Sequence, residues 1–281
     1  MVQLILACLL LLRSLAPTQV NTQSFGRGTA IVFIFGESGL VVASDGLAQN
    51  FSSDHSGIVR KEAEPKISVC NKSFLCAMAG VNPAVFPSVG IEYHFREWLP
   101  TPSGKKRASL REYADAMEDK ARMTFKGLDL LLKSGEPEYS YFATAPELSR
   151  YAIAGYDEGV LKFCEFRILI DHNKKELVYS ERTCWTPAPM DNIAFSGSAE
   201  AVNQWRTPGT SQYLKLMQIY PKALAAAKTL FPDAPPPLKK LIAEAVGWVG
   251  LQTAYDPNQY GGTTRVGVVI KGKLPKVVPL S

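Results

Sequence analysis

The chain has 281 residues, of which 46% are hydrophobic and 20% charged, and a formal net charge of +5. This composition is typical of a soluble globular protein with a sizeable core. The basic excess is mild and no lysine and arginine cluster is interleaved with aromatic residues, which argues against nucleic-acid binding. The five cysteines and three histidines follow no metal-ligand spacing, so neither a metal nor another cofactor is expected.

Residues 1–28 are predicted to be a removable leader. The stretch Val2–Leu12 is almost entirely apolar, which suits a signal-peptide core and is too short to span a bilayer. Ser14–Ala16 supplies small residues for a cleavage site, although no basic residue precedes the apolar run and Pro17 follows. We expect export to the periplasm or outside the cell, without a stable membrane span. The alternative is a removable pro-segment on a cytoplasmic enzyme.

Thr29 opens the first of two short β-rich runs. The runs cover residues 29–48 and are joined by the turn Gly36–Gly39, a pattern that predicts a hairpin. Thr29 starts the first strand and Asp45 ends the second. The two residues should therefore lie at the same end of the pair.

The following elements are predicted in chain order: a polar loop over 49–65; a hairpin of strands 67–70 and 74–78; helices over 84–99 and 110–133; strands over 139–145, 150–154, 161–170, 176–183 and 192–195; helices over 199–205, 211–230 and 238–254; and a strand over 263–271. Helix 110–133 is indicated by apolar residues at helical spacing: Leu110, Tyr113, Met117, Ala121, Phe125, Leu128 and Leu132. This order suggests two sheets with helices on both outer faces.

Four cysteines lie in predicted strands or at their ends. The midpoint of Cys164 and Cys184 is residue 174, within the polar turn 171–175, so pairing about that turn would bring them nearly opposite each other. In an exported chain they can form a cross-strand disulfide, and the alternative is two independent thiols. Cys70 and Cys76 are expected to be buried thiols.

Several ordered pieces of the chain resemble the proteasome β-subunit family, including the bacterial proteasome-like peptidase. Gly28-Thr29 matches the family's processing junction, and Asp45 ends its "G-x-x-x-A-x-D" strand sixteen residues after Thr29. Lys66 precedes Gly80 by fourteen residues, again the family spacing. Weaker matches occur later in the chain: Ala154-Gly155-Tyr156-Asp157, Phe195-Ser196-Gly197-Ser198, and Tyr255-Asp256 before Gly261-Gly262.

The resemblance implies an N-terminal-nucleophile (Ntn) hydrolase with an α+β fold, a four-layer αββα sandwich. Residues 29–281 would form a single domain, with an extended helical segment near the C-terminus because 206–250 is longer and richer in proline than the family norm. The implied activity is hydrolysis of amide bonds in a peptide or protein substrate after self-processing at residue 29. The implied assembly is a homo-oligomer, such as a ring.

The resemblance also implies a role for each matching residue. Thr29 would be the nucleophile, with its own freed α-amine as the base. Lys66 would stabilise negative charge developing near the hydroxyl, and Asp45 would pair with Lys66 and keep it charged. The backbone N–H of Gly80 would be the oxyanion donor. Ser196 would hydrogen-bond the α-amine.

Asp256 is the remaining catalytic position that the resemblance implies. It lies five residues before Gly261 rather than the family's four, and Tyr260 replaces the family's serine. Asp256 as a turn residue before the last strand is the alternative. The resemblance also implies that Met78 and Ala48 lie in the substrate pocket, which the methionine suggests is apolar and of medium size.

Two other functions stay open beside a threonine-type endopeptidase. One is a catalytically inactive Ntn-fold subunit with an assembly role, and the other is an amidase for small molecules. The presence of Thr29, Asp45, Lys66 and Gly80 together favours an enzyme.

Overall fold

The computed structural model describes residues 29–51, 58–61, 65–80, 85–86, 91–92, 108–134, 147–189, 191–195, 207–258 and 260–280. The predicted leader 1–28, the strand over 139–145 and the helix over 199–205 lie outside these ranges. Across the described ranges the fold is a mixed α/β structure with β-sheets and three helices.

The strands and helices follow in chain order: β1 Ile31–Gly36, β2 Gly39–Ser44, β3 Ala48–Phe51, β4 Ile58–Lys61, β5 Ile67–Val69, β6 Phe74–Gly80, β7 Val85–Phe86, β8 Ile91–Glu92, α1 Leu110–Ser134, β9 Glu147–Asp157, β10 Val160–Asp171, β11 Glu176–Tyr179, β12 Thr183–Trp185, β13 Asn192–Phe195, α2 Ser211–Leu230, α3 Pro236–Tyr255, β14 Thr264–Ile270 and β15 Lys276–Leu280.

The first sheet has the strand order β13-β1-β2-β14-β15, with every pair antiparallel. Its centre is the β1–β2 hairpin, in which Ile31 pairs with Ser44 and Gly36 with Gly39. Gly39 has a φ of +147°, and a Cβ at this position would overlap the carbonyl of Val269 in β14. The turn therefore requires glycine in order to pass so close to the neighbouring strand.

The second sheet has the order β11-β10-β9-β6-β5, and β12 also pairs with β10. Cys164 in β10 lies opposite Cys184 in β12, and the two form a disulfide with a Cα–Cα distance of 4.1 Å. The bridge joins the strands on both sides of the predicted polar turn.

A second disulfide joins Cys70 and Cys76, whose Cα atoms are 5.8 Å apart. The prediction of two buried thiols was therefore wrong. Cys70 follows the last residue of β5, and its amide donates to the carbonyl of Phe74 at 3.0 Å. The tight β5–β6 turn brings the two cysteines together, which strand-like composition alone does not reveal.

Buried side chains form three clusters that locate the helices on the sheets. One lies between the two sheets and includes Phe33 and Phe163, whose rings meet edge to face at 5.1 Å. A second packs α1 on β6, β9 and β10, and all seven residues that predicted this helix are buried in it. The third packs α2 and α3 on the first sheet around Trp248, which is 1% exposed.

Local sequence sets where the helices begin. Ser109 and Glu112 form a capping box at the start of α1, in which each backbone amide donates to the other's side chain at 2.8 and 3.2 Å. The hydroxyl of Thr210 accepts from the Tyr213 amide at the start of α2, and α3 begins with Pro236, a favoured residue at the first helical position. These two 20-residue helices form the helical segment expected near the C-terminus.

The described structure corrects several predicted elements. The predicted loop 49–65 contains β3 and β4, which pair with each other. The predicted helix 84–99 is wrong at its described positions, where β7 pairs with β8; Pro87 would break a helix there, and Val, Phe and Ile favour strands. The predicted strand 176–183 is split into β11 and β12, and β15 was not predicted.

Candidate active site

Thr29 and Asp45 lie at the same end of the β1–β2 hairpin. The Asp45 amide donates to the Ala30 carbonyl at 3.0 Å, and the Ala30 amide donates to Asp45 Oδ1 at 2.8 Å. The hairpin pairing thus continues by one residue pair beyond β2, and the Asp45 carboxylate binds the amide of Ala30, the residue directly after Thr29. Thr29 is 7% exposed and Asp45 is fully buried.

The ammonium of Lys66 joins the same carboxylate from the other sheet. Lys66 Nζ lies 2.8 Å from Asp45 Oδ1, with side-chain exposures of 6% and 0%. Lys66 directly precedes β5, so the ion pair links the ends of the two sheets. Removing two charges from water is costly, so a buried ion pair is stable only when the charges are in close contact and further hydrogen bonds satisfy them.

A third segment reaches the carboxylate through Gly261, just before β14. The Gly261 amide donates to Asp45 Oδ2 at 3.4 Å. Its carbonyl accepts from the amides of Gly46 and Leu47, both at 2.9 Å. Sequence reasoning did not assign Gly261 a place in the site, and the only signal was the glycine pair before the last predicted strand.

Burial raises the pKa of the Asp45 carboxyl above its ordinary value of 3.8, while Lys66 and the amides of Ala30 and Gly261 act in the opposite direction. The charged form of Asp45 therefore depends on these three partners. Any change that removes one of them favours the protonated carboxyl.

Gly80 ends β6 at the same end of the second sheet as Lys66. The amide of Met78, two residues earlier, donates to the Lys66 carbonyl at 3.0 Å. Gly80 has a φ of +97°, and a Cβ there would overlap the carbonyl of Leu148 in β9. The backbone at this position therefore requires glycine.

Met78, predicted to line the substrate pocket, is 5% exposed and packs in the cluster beneath α1. Ala48 lies in β3, where its backbone pairs with Lys61. Ser196 lies outside the described residues, directly after β13. The structure thus describes Thr29, Asp45, Lys66 and Gly80 at one end of the two sheets.

Asp256 caps the C-terminus of helix α3 and organises the turn that follows. Its amide donates to the Gln252 carbonyl at 3.1 Å, and its Oδ1 accepts from the Asn258 amide at 3.0 Å. Its carbonyl accepts from the Tyr260 amide at 3.0 Å. This turn leads into Gly261, so Asp256 is linked to Asp45 through the backbone of the intervening loop.

Within the described ranges, no group of three or more His, Cys, Asp or Glu side chains could hold a metal ion. No helix in these ranges is long and apolar enough to cross a bilayer.

No protein-family model and no curated protein sequence match the chain. Among solved structures it is similar to the Anbu (Gly-1) mutant from Hyphomicrobium sp. strain MC1, with a TM-score of 0.45 and 13% identity over 90% of this chain and 87% of that one. It is also similar to Anbu (ancestral beta-subunit) from Yersinia bercovieri, with a TM-score of 0.43 and 12% identity over the same shares of the two chains.

Proposed function

We propose that this protein is a self-processing N-terminal-threonine hydrolase that cleaves amide bonds in peptides or proteins. The observation that carries the proposal is the buried Asp45 carboxylate, which binds the amide of Ala30 and the ammonium of Lys66 at 2.8 Å each. This arrangement holds the backbone directly after Thr29 and places a cation beside it, both in a site screened from water.

The proposed reaction begins after the bond between Gly28 and Thr29 is cut. The freed α-amine, with an ordinary pKa of about 7.7–8.0, is matched to accept the hydroxyl proton near neutral pH. The hydroxyl oxygen of Thr29 then attacks the substrate carbonyl. Lys66 stabilises the negative charge and the Gly80 amide donates to the oxyanion, an interaction whose loss typically costs about 10²–10³ in rate.

Thr29→Ala tests the proposal by intact mass. The variant keeps the residues before position 29 because it lacks the attacking hydroxyl, whereas Thr29→Ser, which retains a hydroxyl, matures. The matched control is Thr229→Ala, since Thr229 is exposed in α2 and, among the described residues, its hydroxyl binds only the Ala225 carbonyl. Maturation of Thr29→Ala at residue 29 would show that another protease makes the cut.

Turnover of peptide and amide substrates provides the second test. Lys66→Ala is expected to abolish turnover, and Lys66→Arg is not expected to restore it because a planar guanidinium differs from a compact ammonium. Correct processing without any amide hydrolysis would instead favour the non-catalytic assembly subunit. Turnover confined to small amides would favour the small-molecule amidase.

The same proposal extends to fold, assembly and location. The three clusters support a four-layer αββα sandwich formed by a single domain over residues 29–281, with Met78 and Ala48 near the substrate pocket. We infer a homo-oligomer, such as a ring. The two disulfides support export, because disulfides persist in oxidising compartments and are rare in the cytosol.

A further inference from the structure

We propose that Asn71 is an N-glycosylation site, modified as the chain passes through a secretory pathway. Asn71-Lys72-Ser73 is an N-x-S sequence, the acceptor pattern for N-linked glycans on surface loops of secreted proteins. This assignment goes beyond the proposed hydrolase activity, although it rests on the export inferred above.

The sequence lies at the tip of the β5–β6 hairpin. Asn71 and Ser73 are half-buried, and Lys72 between them is exposed. A glycan is bulky and solubilising, so it needs a surface position of this kind.

The oxygen of the Asn71 side chain, and not its nitrogen, makes the hydrogen bonds that hold the turn. Asn71 Oδ1 accepts from the Ser73 amide at 2.7 Å and from the Phe74 amide at 2.9 Å. Within the described residues Nδ2 makes no hydrogen bond. These contacts span only three residues, so the same turn can form locally before the sheet is complete.

The group transfer needs a lipid diphosphate-linked oligosaccharide as the donor. Asn71 Nδ2 bonds to C1 of the first sugar, and the bond between C1 and the diphosphate oxygen breaks. The bonding pair leaves with the lipid diphosphate, and the amide nitrogen gives its proton to a base of the transferase.

The location is compatible with the proposed hydrolase. Lys66 and Gly80 lie at the other end of the hairpin, roughly 15–25 Å from its tip at about 3.3 Å per strand residue. The Cys70–Cys76 disulfide lies between the tip and that end. A glycan on Asn71 therefore extends away from the end that carries Thr29.

The test uses protein purified from the compartment of the cells that naturally produce it. Treatment with a peptide N-glycosidase in heavy-oxygen water is expected to convert Asn71 to labelled aspartate in the reduced and alkylated peptide. Asn71→Gln and Ser73→Ala are expected to lose one glycan by intact mass, whereas Ser73→Thr, which keeps the acceptor pattern, retains it.

The chain provides a matched control in its second N-x-S sequence, Asn50-Phe51-Ser52. Asn50 lies within β3, where its backbone pairs with Val59. Asn50→Gln should leave the glycan on Asn71 in place. Unmodified Asn71 in the natural protein, whether exported or cytosolic, would overturn the proposal. A glycan that is lost in Asn50→Gln but retained in Asn71→Gln would also overturn it, because that glycan would be attached to Asn50.

Discussion

Replacing Lys66 by methionine tests how strongly the buried ion pair with Asp45 stabilises the fold. Methionine has a similar length and no charge, so the change removes the ammonium with little change in volume. Asp45 is fully buried and the Lys66 side chain is 6% exposed, so solvent does not screen the loss. Removing one partner of such a pair costs about 3–5 kcal/mol of unfolding free energy.

The measurement is a double-mutant cycle in urea with both disulfides oxidised. Asp45→Asn should also cost about 3–5 kcal/mol because it removes the carboxylate that the buried Lys66 ammonium binds. The double variant removes both charges and should be more stable than either single variant. If the two single effects instead add to within about 0.5 kcal/mol, the residues are not energetically coupled and the reasoning fails.

An exposed ion pair serves as the matched control. Lys174 is 68% exposed beside Asp171, so water screens this pair and Lys174→Met should change the unfolding free energy far less than Lys66→Met. An equal cost for Lys174→Met and Lys66→Met would show that burial of the pair is not the cause.

The deficit of Lys66→Met should also depend on pH. Burial already raises the pKa of Asp45 above 3.8, and the variant lacks the cation that opposes this rise. A raised folded-state pKa stabilises the fold below the unfolded-state value and loses that contribution as pH rises through the folded-state value. The deficit should therefore be smaller near about pH 5 than near about pH 8. A constant deficit would show that titration of Asp45 is not its cause.

Three further outcomes are expected. Gly80→Ala should lose more unfolding free energy than Gly209→Ala, because both have positive φ but only Gly80 would overlap a neighbouring strand; equal losses in urea would refute that overlap. Burial raises the pKa of Tyr179 to about 12, so the absorbance of its tyrosinate should appear near that pH and should be absent from Tyr179→Phe. The stability that this raised pKa contributes should be lost as pH rises from about 10 to 12. Replacing both Cys164 and Cys184 by serine should cost about 3 kcal/mol, since their separation is 20 residues, and an unchanged unfolding midpoint would contradict this.

The elements that could be predicted from sequence are those whose signals are local. Helix α1 was indicated by seven apolar residues at helical spacing between Leu110 and Leu132, and all seven are buried. The β1–β2 hairpin follows from two apolar runs joined by a glycine turn. In α1 burial repeats with the helical period, whereas nearly every residue of β1 and β2 is buried, because the two faces of the hairpin pack in different clusters. In both cases residues close in sequence carry the information.

The features that could not be predicted depend on contacts between residues distant in sequence, or on strand and cysteine pairing that amino-acid composition does not determine. Gly261 reaches Asp45 across 216 residues, and no local pattern indicates that contact. Strand β15 contains Pro279, which usually argues against a strand, but β15 is at the edge of its sheet, where proline is tolerated. The Cys70–Cys76 disulfide depends on the geometry of a turn rather than on strand propensity.

The contact between Gly261 and the end of β2 also has a consequence for the timing of biosynthesis. At about 5–20 residues per second, a ribosome needs roughly 10–40 s to proceed from Asp45 to Gly261. Until then the Asp45 carboxylate lacks one of its amide donors, and β2 lacks its partner β14. The surroundings of Thr29 are therefore completed only when the chain is almost fully made, and a truncated product that stops before Gly261 cannot assemble them.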